Sequence, residues 1–286
     1  MTQNCDRASQ AIELLGEQKL ELSDRDREEI IERIRPTALI IHETIRMEGE
    51  SELCRPVSAL AWSGLAAGLS MGFSLVAQGV LQANLPQQSW SSIIVSLGYS
   101  IGFVIVVMGR QQLFTENTLT VILPLLNDRK RKVFMRVLRL WGIVLASNLL
   151  GAFIFASIVA QVGVFPPEFQ KAFGEIGLRV IDGGFWITLL RAIFAGWLIA
   201  LMVWLLPAAE SSQLWVIVII TSLVGLGEFP HIIAGSVEVF YAVAIKAVSW
   251  PEYFGKFMIP TLIGNILGGV TLVAALNHAQ VAQDDI

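Results

Sequence analysis

The chain has 286 residues, 54% of them apolar and 15% charged, and its mean hydropathy of +0.63 excludes an ordinary soluble domain of this length. Residues 1–56 carry 8 Lys or Arg and 13 Asp or Glu of the 44 charges, so the net charge of −4 describes this first segment and not the rest. No basic domain is left on which a nucleic-acid-binding reading could stand.

Taken in order, residues 1–56 read as a charged, cytoplasmic, helical segment. Ile12, Leu15, Leu20, Ile30, Ile31 and Ile34 recur among charges, Ser23 is placed to cap a helix beginning at Asp24, and Pro36 interrupts it. The pattern fits either a solvated amphipathic helix on the cytoplasmic face or a regulatory, partner-binding element. The first 50 residues have no apolar core of the kind a cleavable signal peptide needs. Cys5 and Cys54 fall on the same side and are expected to be free thiols.

Six apolar runs follow, at 58–83, 91–126, 134–162, 185–207, 214–246 and 257–277. Crossing a bilayer takes about 20 residues, so residues 57–278 are expected to form a six-span, all-α domain, with 279–286 a cytoplasmic tail. Arg129, Lys130, Arg131, Lys132 and Arg136 crowd the link between the second and third runs, and the link before it has no Lys or Arg. Positive charge in short loops stays inside, which puts both termini in the cytoplasm of a cell bounded by a bacterial inner membrane.

The second run passes through Tyr99 and Phe103 and then meets Gly109-Arg110-Gln111-Gln112-Leu113-Phe114-Thr115-Glu116-Asn117. A charge at the centre of a spanning helix costs at least about 2.5–3.5 kcal/mol. The backbone is therefore expected to open here, with Thr118 to Leu126 as a second half-helix; the alternative has Arg110 snorkelling at the end of the span. Irregular backbone at this depth requires protein or a water-filled cavity around it. The fifth run, after Val224, breaks at Gly227-Glu228-Phe229-Pro230-His231, because proline removes a helical donor and clashes with the preceding turn. His231, beside Glu228, is expected at exposed backbone near midspan.

Phe114 and His231 lie 117 positions apart, as do Asn148 and Asn265, and Gly151 and Gly268. This spacing predicts an internal duplication: two inverted three-helix repeats, each with one broken helix, whose breaks point to a substrate pathway. Gly64, Gly68 and Gly72, and Gly264, Gly268 and Gly269, suit close helix packing. Asn148 and Asn265 either tie down the loop backbones or touch substrate. Arg191 faces a vestibule or pairs with an acid. Glu238, seven residues after His231, makes an ion pair or a contact between protomers, and Lys246 anchors a helix end at the interface.

Leu113-Phe114-Thr115, Phe229-x-His231 and Ile263-Gly264-Asn265-Ile266-Leu267-Gly268-Gly269 resemble the formate/nitrite transporter family over residues 50–278. The resemblance implies an aquaporin-like protomer and a homo-pentamer in the lipid bilayer, with one pore per protomer passing small monovalent anions such as formate or nitrite. It implies His231 as the central pore histidine, Leu113 and Thr115 in an inner slit, Tyr99 and Phe103 at a constriction, and Asn265 supporting the pore. Phe114, Phe229, Glu228 and Val224 complete the expected pathway. The chain departs from the family pattern with Pro230 where Glu is common, Gly235 four residues after the histidine where Asn is common, and Gly196 at a pore-facing Asn of the fourth span.

A bare anion loses hydration in an apolar constriction. Basic residues are therefore expected to attract it, and a proton to reach it near His231 so that the neutral acid crosses; an imidazole titrates near about 6.5. The rivals are a neutral-solute pore, which usually carries paired Asn-Pro-Ala motifs absent here, and a regulatory relative without flux. No metal-ligand spacing, phosphate loop or nucleophile elbow appears, so neither an enzyme nor a cofactor or metal site is expected.

Overall fold

The computed structural model describes residues 36–284, which places the helical pattern from Ile12 to Ile34, with its helix beginning at Asp24, and Cys5 outside the described residues. The described residues are helical apart from turns and one isolated bridge between Val162 and Phe165. Helix α1 spans Ala38–Cys54, α2 Val57–Asn84 and α3 Ser91–Met108. Two short helices, α4 (Asn117–Thr120) and α5 (Ile122–Asn127), precede α6 (Arg131–Val159) and α7 (Pro167–Val180). Then come α8 (Gly184–Ala209), α9 (Gln213–Leu226) and α10 (Ile232–Ala244). The last helix, α11, covers 250–284 and contains two π-helical stretches, Tyr253–Met258 and Gly268–Ala275.

By length and composition, α2, α3, α6, the stretch Gly184–Leu226 and α11 are each able to cross a membrane, while Asn117–Asn127 and α10 are shorter apolar helices. The second and fifth apolar runs are thus both interrupted, at 109–116 and 227–231. Large apolar side chains such as Trp62, Trp186, Trp215 and Ile219 remain exposed on the single chain, as helices facing lipid or another protomer require.

Glycines set the closest approaches. A Cβ at Gly68 would lie 2.1 Å from the Asn148 carbonyl oxygen, so only hydrogen fits where α2 crosses α6. The same contact recurs where α8 crosses α11: a Cβ at Gly196 would lie 2.2 Å from the Asn265 carbonyl oxygen. Gly196 is therefore a packing residue set against backbone, which corrects its reading as the site of a pore-facing side chain.

The breaks share a cap. Helices α3 and α9 both end in a Schellman motif: Arg110 N and Gln111 N donate to Val107 O and Val106 O at 3.1 and 2.9 Å, and Glu228 N and Phe229 N donate to Gly225 O and Val224 O at 3.2 and 3.0 Å. The left-handed residue in each is not glycine, Arg110 having φ 48° and Glu228 φ 49°. The caps lie 118 positions apart, whereas Asn148 and Asn265 lie 117 apart. The counterpart of His231 is therefore Leu113 and that of Phe114 is Ile232, a one-residue correction to the register expected in the breaks.

Candidate substrate passage

Each break is held by one asparagine. Asn148 Oδ1 accepts from Phe114 N at 2.9 Å, while its Nδ2 donates to Gln112 O at 2.8 Å and Gly64 O at 2.7 Å. Asn265 Oδ1 accepts from Ile232 N at 2.9 Å, and its Nδ2 donates to Pro230 O at 3.0 Å and Ala192 O at 2.8 Å. Both asparagines are fully buried, and each satisfies two backbone groups that the break leaves open while its third bond goes to a carbonyl of a neighbouring continuous helix, α2 or α8.

The tips of the breaks meet. Thr115 Oγ1 and His231 Nε2 are 2.7 Å apart, and both residues are buried. His231 is the N-cap of α10, and its Nδ1 accepts from Ile233 N at 3.3 Å and Ala234 N at 3.2 Å. A nitrogen that accepts from two amides carries no hydrogen, so the proton of the neutral ring sits on Nε2 and points at the threonine hydroxyl. The ring edge meets Phe103, whose centroid is 5.0 Å away, and Phe103 in turn packs on Tyr99 at 5.3 Å. The backbone at Tyr99 is fixed by Ser74, which donates to Tyr99 O at 2.6 Å and accepts from Gly102 N at 3.1 Å.

A cavity of about 990 Å³ reaches this point from the side of the 85–92 link and α7. Tyr99, Val224, Glu228, Phe229 and His231 line it. Leu113, Thr115 and Phe103 are buried outside that lining, next to or beyond the imidazole. Phe114 turns its ring to Trp141, with centroids 5.7 Å apart, and Asn265 faces backbone, so both act on the site as scaffold. Glu228 is exposed, and Phe229 stacks on Phe194 at 5.4 Å.

The remaining expected sites divide. Arg110 sits in the opened backbone, yet its side chain is 86% exposed and 3.4 Å from Glu48, so the break and the surface-directed guanidinium coexist. Arg191 lines the cavity and makes no ion pair among the described residues. Glu238 also lines it, and in place of the expected ion pair it accepts a hydrogen bond from Gln78 Nε2 at 2.9 Å. Lys246 is exposed at the end of α10, at φ 63°. A side chain at Gly235 would meet the Phe257 ring at 2.6 Å, so the phenylalanine fills that space. Cys54 is free and exposed.

Two lining residues escaped the sequence reading. Thr188 is buried with an unpartnered Oγ1, and Gln78 is buried in α2. Thr188 lies one turn before Arg191, and Gln78 is a lone amide in an apolar helix; those are the only signals either residue offered.

These features define a class: a helical membrane protein with two opened helices whose tips meet at the end of an open cavity. The formate/nitrite transporter family model matches residues 40–279, and the chain belongs to that family. It is 42% identical over 270 residues to the inner membrane protein YfdC of Escherichia coli (strain K12), covering 93% of this chain and 87% of that protein. Among solved structures it is similar to a pentameric formate channel with formate bound, at TM-score 0.68 and 18% identity over 83% of this chain and 99% of that one. It is also similar to an ion channel of the same family, at TM-score 0.70 and 15% identity over 85% and 96%. The family is one of transporters and channels, not enzymes, and this chain is a multi-pass protein of the bacterial inner membrane.

Proposed function

We propose that the chain conducts small monovalent weak-acid anions of the formate or nitrite type, as a homo-pentamer with one passage in each protomer. The observation that carries this reading is the 2.7 Å contact between Thr115 and His231, where two asparagine-tied breaks meet at the end of the cavity. An imidazole N–H and a hydroxyl are donors suited to an anion's oxygens, and the surrounding aromatic and aliphatic walls offer no other replacement for its water. The anion takes up a proton near His231 and crosses the constriction at Phe103 and Leu113 as the neutral acid.

The shared caps and asparagine ties support a duplication into inverted three-helix repeats, with residues 57–278 as the transport domain, and the basic cluster at 129–136 supports cytoplasmic termini. Reconstituted protein should admit formate and nitrite faster than glycerol, with uptake rising as the external pH falls. His231→Ala and His231→Asn proteins that kept this pH-dependent flux would remove the histidine from the mechanism. Equal uptake of glycerol would turn the reading to a neutral-solute pore.

A further inference from the structure

His231, Gly235 and Glu238 all line the cavity and fall on one face of α10. Seven residues of helix place Glu238 about 10 Å from His231 along the helix, on the cavity side of the histidine. Glu238 as a residue is 5% exposed. Its Oε1 accepts the Gln78 amide at 2.9 Å, and its Oε2 has neither a hydrogen bond nor an ion pair among the described residues. The guanidinium of Arg179 on α7 is bonded to Gln82 Oε1 at 2.6 Å. A carboxyl group in the wall of an anion's route is out of place if it acts as a fixed negative charge, because like charges disfavour entry. It is suited to the task if it holds a proton.

We propose that Glu238 is the residue that hands a proton to the entering anion. This rests on the weak-acid reading above and assigns its chemical step. The geometry of His231 points the same way. Its Nδ1 is occupied by two amides, and its only hydrogen, on Nε2, is directed at Thr115, so releasing that hydrogen would leave an imidazolate.

At Glu238 the step balances. The O–H bond at Oε2 breaks, an O–H bond forms on the anion, and the neutral acid moves on towards His231. Glu238 is left as a carboxylate and recovers a proton from hydronium entering the cavity, which leaves water. Gln78 holds Oε1, which leaves Oε2 to the cavity. The charged or titratable groups near this carboxyl group are Arg179, Glu175 and Lys171 on α7, Tyr99 on α3, Arg191 on α8, and Tyr253 on α11. The charged residues of α6 lie outside the cavity lining.

The test is formate and nitrite uptake into proteoliposomes across a pH series, comparing the full-length protein with Glu238→Gln and Glu238→Asp. Glu238→Gln should lower flux by about 100-fold, the low end of what a positioned acid contributes, and should flatten its pH dependence. Glu238→Asp should keep a pH-dependent flux of intermediate size. A Glu238→Gln profile that coincides with wild type overturns the assignment and leaves the proposed function standing, whereas a wild type with no weak-acid flux at any pH removes both. Infrared difference spectra of the wild-type protein give a readout that does not depend on the Gln variant assembling. A protonated-carboxyl band that titrates in step with flux supports the assignment, and its absence at every pH where flux occurs overturns it.

Discussion

The breaks at 109–116 and 227–231 share a scaffold and differ in how their tips are built. The scaffold is the same Schellman cap and the same three-bond asparagine tie in each. The first tip is braced from within by side chains that do no chemistry: Asn117 Nδ2 donates to Gln112 Oε1 at 3.1 Å, Thr118 Oγ1 to Thr115 O at 2.7 Å, and Trp141 Nε1 to Asn117 O at 3.1 Å. The second tip is braced by one serine, Ser236, whose Oγ donates to Ile232 O and lies 3.1 Å from the Tyr253 hydroxyl. His231 caps its own helix there while presenting the opposite ring nitrogen to Thr115. Thr115 is thus relieved of structural duty, whereas His231 caps its helix with the same ring to which the proposed function gives a role in the passage.

The comparison predicts graded effects. Asn148→Ala and Asn265→Ala should be the most damaging and about equally so, each by about 3 kcal/mol, because each strands the two buried backbone groups of its break; denaturant unfolding in detergent measures it, and markedly unequal losses would break the equivalence of the ties. Gly68→Val and Gly196→Val come next, at about 1–3 kcal/mol, since each drives a side chain into an asparagine carbonyl. For the second tip, His231→Ala should cost about 1 kcal/mol of stability, while His231→Asn, which restores a good cap, should unfold close to wild type; both should lose flux. Thr115→Val should lower flux at nearly unchanged stability, which separates the single duty of the first tip from the double duty of the second.

Smaller effects come from the caps and the surface. Arg110→Gly and Glu228→Gly should each raise the melting temperature slightly, by at most about 1 kcal/mol in stability, because glycine adopts the left-handed conformation without strain. On α1, the Arg46 guanidinium hydrogen-bonded to Glu43 holds that carboxyl below its usual range. Its contribution is therefore present above the usual carboxylate range and is lost as pH falls through the lowered value. The pair is half-buried at the protein surface, so the acid-side fall in melting temperature should shrink only a little in Glu43→Gln.

The positions of the breaks were legible because Gly109, Arg110, Gly227 and Pro230 interrupt otherwise apolar runs, and nothing but an opened backbone accommodates that sequence in lipid. The asparagines were legible as tethers for a similar reason, since a dry amide needs partners. The register was misread by one residue because the breaks share backbone geometry and not side chains. Phe114 and His231 invited pairing by position, while the informative pair was Gly109 and Gly227, each just before the left-handed turn. Much of the cavity wall was legible, from Tyr99 to His231, but the polar contact within it was not. Gln78 and Glu238 meet across a sequence separation of 160 residues, and neither residue type alone announces the other. Gly196 was misassigned because a glycine reads equally as a lost side chain and as a close helix crossing, and only the Asn265 carbonyl facing it decides between them.

The threonine–imidazole contact has a further consequence for whatever travels between the two tips. On the proposed route that contact is a latch between the two breaks, and a traveller must undo it while offering something in exchange. A molecule with oxygens to receive the ring hydrogen and occupy the hydroxyl lowers the toll of its own passage. A hydrocarbon or a gas atom offers nothing, and meets a door that stays shut.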